Sequence, residues 1–198
     1  MDAAKEYGFG RIAGTTEGGV LRTANPLLVL ALPALGGLLV GLTIHLTGTE
    51  RDGAGTDAVI RAFHRMKGRV RGRVAAVTAV ASTLTIGSGG SGGREGPVSQ
   101  IGAAIGSTIA DRLNFSDRDR RLMLMAGGSA GVGAMFASPL GGALFLPEVM
   151  YRRGEFEGDA IIPCVVSSSV AYATFAAILG EERAVMIPRE VVEHLQVE

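Results

Sequence analysis

The sequence predicts an all-α integral membrane protein whose helices are broken rather than continuous. Charged residues make up only 19% of the 198 residues and hydrophobic ones 47%, whereas a soluble domain carries about 25% charged residues. Glycine occupies 30 positions, and small residues let helix backbones approach each other in lipid. The charges are also bunched. No Asp, Glu, Lys or Arg lies between Arg22 and Glu50, Arg73 and Arg94, Glu95 and Asp111, Arg121 and Glu148, or Asp159 and Glu181.

Residues 1–22 form a polar N-terminal segment in which Asp2, Lys5, Glu6, Arg11 and Glu17 leave no apolar leader core. Residues 23–180 read as one membrane domain and 181–198 as a polar tail. A span needs roughly 20 mostly apolar residues. Residues 26–46, with Pro33 inside, meet that length, as do 122–146 and 160–179. Asp57 is placed to cap a short helix over residues 58–63. Arg61, Arg65, Lys67, Arg69, Arg71 and Arg73 follow without an acidic residue among them, which assigns that loop to the cytoplasmic side.

The middle of the chain departs from simple spans. Gly87-Ser88-Gly89-Gly90-Ser91-Gly92-Gly93 is not a helix, because each glycine there costs about 1 kcal/mol relative to alanine. The expected order is a helix over residues 74–86, a glycine-rich break, and a new helix from Pro97 to residue 109. Pro97 suits a first helical turn. Gly- or Pro-interrupted apolar segments mark transporter substrate sites. A helix start inside the bilayer presents unpaired N–H groups and a positive dipole end, and so attracts anions. Glu95 lies just before that start, where its carboxylate competes with an anion when ionised and leaves when protonated. Residues 117–121 read as a solvated helix start, and the 127–138 run as a close-packing surface.

Several classes are excluded. Zero net charge argues against a nucleic-acid binder. There is no GxxxxGK[ST] loop for a phosphate-binding enzyme. Cys164 is alone, so neither a disulfide framework nor a metal cluster is expected. It reads as a small packed residue. No catalytic residue, metal or cofactor is assigned.

Gly93-Arg94-Glu95-Gly96-Pro97-Val98-Ser99-Gln100-Ile101-Gly102 resembles the signature of CLC chloride channels and proton/chloride antiporters. The stretch from Gly127 through Ser138-Pro139-Leu140-Gly141-Gly142 to Phe145, followed by Glu148, resembles the family's next segment. The resemblance implies broken, tilted transmembrane helices forming the first of two inverted repeats of a CLC-type fold. It makes Glu95 the gating glutamate and Gly53, Ala54, Gly55, Arg94, Glu95, Gly96 and Pro97 the anion-binding positions, with chloride or a similar anion as substrate. Gly53-Ala54-Gly55-Thr56-Asp57 stands where many members have Gly-Ser-Gly-Ile-Pro, so the serine hydroxyl is missing at Ala54. At the inner mouth, Glu148 is followed by Val149 where many antiporters carry a second glutamate. That favours a passive, voltage-gated-channel-like protein over a proton-coupled antiporter. Glu148 itself reads as an ion-pair partner of Arg152 or Arg153.

No second repeat, Gly-x-Phe-x-Pro segment or matching tyrosine is found; Tyr7, Tyr151 and Tyr172 lie in other contexts. The chain therefore reads as a fragment or one product of a split gene. Its expected partners are the lipid bilayer and either a second half-domain or a homodimer mate, and its expected place is the inner membrane of a prokaryote. The alternative is an inactive structural half-domain. His45 reads as interfacial and His64 as part of a solvated basic face.

Overall fold

The computed structural model describes residues 26–48, 55–151 and 158–179. These residues form α1 Pro26–Thr47, α2 Thr56–Arg65, α3 Gly72–Gly87, α4 Glu95–Arg112, α5 Asp117–Met135, α6 Pro139–Met150 and α7 Gly158–Leu179, with no strand among them. Among the described residues, two helices are long and apolar enough to cross a membrane, over Leu30–Thr47 and Gly158–Ile178; α3 and α6 are shorter and apolar. The expected segments 1–22 and 181–198 lie outside the described residues.

The closest seam runs between α4 and α5. Gly102 and Gly106, one turn apart on α4, face Gly127 and Met123 of α5 so closely that a Cβ on either glycine would strike a backbone carbonyl. A Cβ on Gly131 would lie 2.7 Å from the Val98 carbonyl oxygen. This is a small-residue seam at four-residue spacing, with backbone packed on backbone. The 127–138 run does pack closely. Gly133 continues it: Ser168 of α7 fills the space where its side chain would be, and a Cβ on Gly142 of α6 would strike the Gly133 backbone. Around the seam, Val59 and Phe63 of α2, Leu124, Met125 and Val132 of α5, Leu146 and Met150 of α6, and Cys164 of α7 form the apolar core.

The outer faces are apolar as well. Leu30, Leu38 and Leu46 of α1 are largely exposed, as are Ile162, Val166 and Val170 at four-residue spacing on α7. Large exposed apolar faces on long helices suit lipid or partner protein better than water.

Three expectations need correction. The run over residues 122–146 is not one span: α5 ends at Met135 and α6 starts at Pro139. Pro139 has no N–H and pushes the preceding residue out of helical geometry. Ser138 accordingly sits at φ −132°, ψ 88°, and Ala137 turns at φ 52°. Second, α4 begins at Glu95, so Pro97 is its third residue; a first-turn proline removes an N–H that had no helical acceptor anyway. Third, Asp57 does not cap α2. Gly55 is the N-cap, with φ 64°, and Asp57 falls inside the first turn.

The opposite end of the bundle is polar. Residues 117–121 do start a helix, but Arg120 is not solvated: it is 5% exposed. It donates to Asp111 Oδ1 at 2.6 Å, to Asp117 Oδ1 at 2.8 Å and to the Phe115 carbonyl at 3.2 Å. Lys67 pairs with Asp117 at 3.0 Å, and that hydrogen bond chiefly holds the Asp117 carboxyl below its ordinary value. Ser107 ties the basic loop to α4, donating to Gly68 O at 2.7 Å and accepting from Val70 N at 3.0 Å.

Candidate functional site

Two helix starts meet. Gly55, the N-cap of α2, lies against Gly96 in the first turn of α4; a Cβ built on either would sit 3.1 Å from the other's Cα. Only glycine allows backbones to approach that closely, and at Gly55 the positive φ favours it independently. Neither start has a side-chain cap: Gly55 and Arg94 make no capping hydrogen bond.

Val98 N donates to Arg94 O at 3.1 Å and Pro97 has no N–H, which leaves the amides of Glu95 and Gly96 without an intrahelical acceptor. On α2 the first acceptor used is Gly55 O, taken by Val59 N at 3.4 Å, so the amides of Thr56 to Ala58 precede the ladder. Two positive dipole ends thus point into one place. Such a junction favours an anion or a carboxylate.

Gly55 N is not among the open donors. It donates to Gln100 Oε1 at 2.8 Å, and Gln100 is fully buried. Gln100 and Gly96 are four residues apart, so both face α2. Sequence reasoning missed this contact. Its signal was an uncharged but polar glutamine inside the charge-free interval after Glu95.

Glu95 is exposed, and its Oε2 folds back over Gly93, occupying the space a side chain at 93 would take. Glycine at 93 therefore leaves room for the carboxylate beside its own helix start. Arg94 is half-buried next to it.

Gly55, Glu95, Gly96 and Pro97 are thus brought together, with Arg94 at the same turn. Gly53 and Ala54 lie outside the described residues. Glu148 and Val149 are elsewhere: they close α6, near the far end of α2, where His64 Nε2 lies 3.0 Å from the Met150 carbonyl oxygen. Eight residues of helix separate Thr56 from His64, which is about 12 Å of rise. Val149 packs against the core, whereas Glu148 is exposed; Arg152 and Arg153 lie outside the described residues. His64 is exposed as expected, but its ring also meets Phe63 edge-on at 5.0 Å. Cys164 is buried in the core.

A family model described as voltage gated chloride channel matches residues 36–197. The chain is similar to a chloride/fluoride channel protein of Pseudomonas syringae pv. tomato, with 37% identity over 150 residues, covering 76% of this chain and 32% of the relative. It is similar to the H(+)/Cl(-) exchange transporter ClcA of Vibrio vulnificus, with 31% identity over 147 residues, 74% of this chain and 32% of the relative. ClcA of Vibrio campbellii shows 30% identity over 173 residues, 85% of this chain and 37% of the relative. The chain spans about a third of the length of these curated relatives.

Proposed function

The chain belongs to the voltage-gated chloride channel (CLC) family, an all-helical integral membrane fold, and from that premise we propose that it forms half of a chloride pathway gated by Glu95. The observation that carries this reading is the uncapped junction of α2 and α4, with the Glu95 carboxylate folded beside it. An anion approaching the junction meets backbone N–H groups and two dipole ends without needing a buried cation. The ionised carboxylate competes for the same positive potential. Protonation removes its charge and with it the competition. Arg94, Gly96 and Pro97 shape the turn from which Glu95 moves.

We further propose a passive channel rather than an exchanger. The apolar Val149 supports this, because a packed valine offers no proton-accepting atom at that position. Relatives of both kinds exist: one is named a chloride/fluoride channel and others H(+)/Cl(-) exchange transporters. Residues outside this half, from a second half-domain or a second copy, complete the pathway, and a bacterial inner membrane is the proposed location.

The test is chloride efflux from proteoliposomes across external pH. Glu95→Gln is expected to flatten the pH response of the flux, since the amide cannot ionise. An unchanged pH response would remove Glu95 as the gate. A proton gradient that drives chloride uphill would replace the channel reading by exchange.

A further inference from the structure

Gln100 carries an amide nitrogen that none of the described residues satisfies. Its side chain is fully buried and its Nε2 has no hydrogen-bond partner among the described residues. The orientation of the amide is fixed by chemistry: Gly55 N is a donor, so the oxygen must face it and the amino group must point elsewhere. A buried donor left unmade is costly, and native proteins rarely leave one without a reason.

The surroundings indicate what would satisfy it. The two heteroatoms of a carboxamide are about 2.3 Å apart, so with Oε1 at 2.8 Å the amino group lies within roughly 5 Å of Gly55 N. That is the foot of α2, where it meets Gly96 of α4. The nearest hydroxyl in sequence, Ser99 Oγ, donates to Gly96 O at 2.8 Å, back into its own helix. Two helix starts add positive potential at this point, which disfavours a cation and favours an acceptor that carries negative charge. We propose that Gln100 Nε2 is a direct donor to an anion bound at the α2–α4 junction, so that Gln100 both fixes the Gly55 turn through Oε1 and ligates the ion through Nε2. The inference rests on the anion-pathway reading above and adds a side-chain ligand to the backbone donors there.

The test uses the full chain in detergent, titrated with chloride by calorimetry from pH 4 to pH 8. Gln100→Met keeps the side chain's length and removes both amide functions; chloride affinity is expected to fall about tenfold or more, the worth of one hydrogen bond to a charged group. Gln100→Glu is the discriminating variant. Its carboxyl keeps an acceptor for Gly55 N in either state, but offers a donor only when protonated. Its affinity, taken as a ratio to the parent protein at each pH, is expected to approach one at acid pH and to collapse as the carboxyl ionises. Taking the ratio cancels contributions from Glu95, Arg94 and Asp57. Circular dichroism checks that each variant retains its helices. A variant that loses them is replaced by the Gln100→Glu comparison between pH values within one preparation. A ratio near one at every pH, with the parent binding chloride, overturns the ligand role of Gln100 alone. No chloride binding by the parent overturns the anion-site reading together with it.

Discussion

The chain breaks its apolar sequence at residues 88–94 and again at 136–138, and the two helices that restart there are finished differently. At α6, Ser138 accepts from Gly141 N at 3.3 Å, and at α5 Ser116 likewise accepts from Asp119 N at 3.2 Å. Those starts satisfy themselves. At α4 the N-cap is Arg94, in helical geometry and without a capping bond, and the start of α2 that abuts it is also uncapped. A serine at either position would fill the donors that an incoming anion needs. The contrast separates a break whose new helix is capped by its own serine from one whose first-turn N–H groups have no side-chain cap.

The largest effect is expected from Gly127→Leu in the seam behind both breaks. Its side chain would be driven into the Gly102 carbonyl, costing about 3 kcal/mol, and thermal unfolding in detergent should show α4 and α5 separating. Gly96→Val tests the open start. Its methyls would collide with Gly55 and Thr56, whose atoms lie 3.1 Å and 3.4 Å from a Cβ at 96; chloride affinity should fall at least tenfold while stability drops by about 1–3 kcal/mol. Retained affinity would show that the junction is not the site. Ser138→Ala is the mirror experiment at the closed start: a loss of about 1 kcal/mol in unfolding free energy with chloride affinity unchanged. If it weakened chloride binding as Gly96→Val does, the distinction between the breaks would be void. The smallest effect concerns the polar end. Asp117 has a lowered folded pKa relative to its ordinary 3.8, chiefly through its hydrogen bond with Lys67. Its contribution is therefore present above the ordinary value and lost as pH falls through the lower, folded one. Lys67→Ala should slightly lower the melting temperature at neutral pH, and the difference from the parent should vanish in strong acid.

The break at 88–94 was legible because glycine repetition excludes a helix and the flanking segments carry no charge. The break at 136–138 was not, although Ser138-Pro139 held the signal; absence of charge over 122–146 outweighed a single proline. Residue periodicity could not find Gln100, since its role depends on Gly55 arriving from a different helix. Arg120 was misjudged for the same reason. Within its own segment it alternates with aspartates like a solvated face, and only the approach of Asp111 from the preceding helix end buries it. Gly93, Glu95 and Gly96 stand together in the motif, but the folding of the carboxylate over Gly93 needed three dimensions.

The glycine seam also bears on how the protein is made. On α4 the fully buried side chains include Ser99, Gln100 and Ser107, and the helix ends in Asp111 and Arg112. Alone in lipid, α4 would expose those polar groups to hydrocarbon. In the bundle Gln100 meets Gly55 of α2 and Ser107 the 68–70 loop, while the backbones of α4 and α5 touch along Gly102, Gly106 and Gly127. Alone in lipid, α4 is therefore expected to be a poor membrane guest. Its stable burial is expected only once α2, the 68–70 loop and α5 surround it.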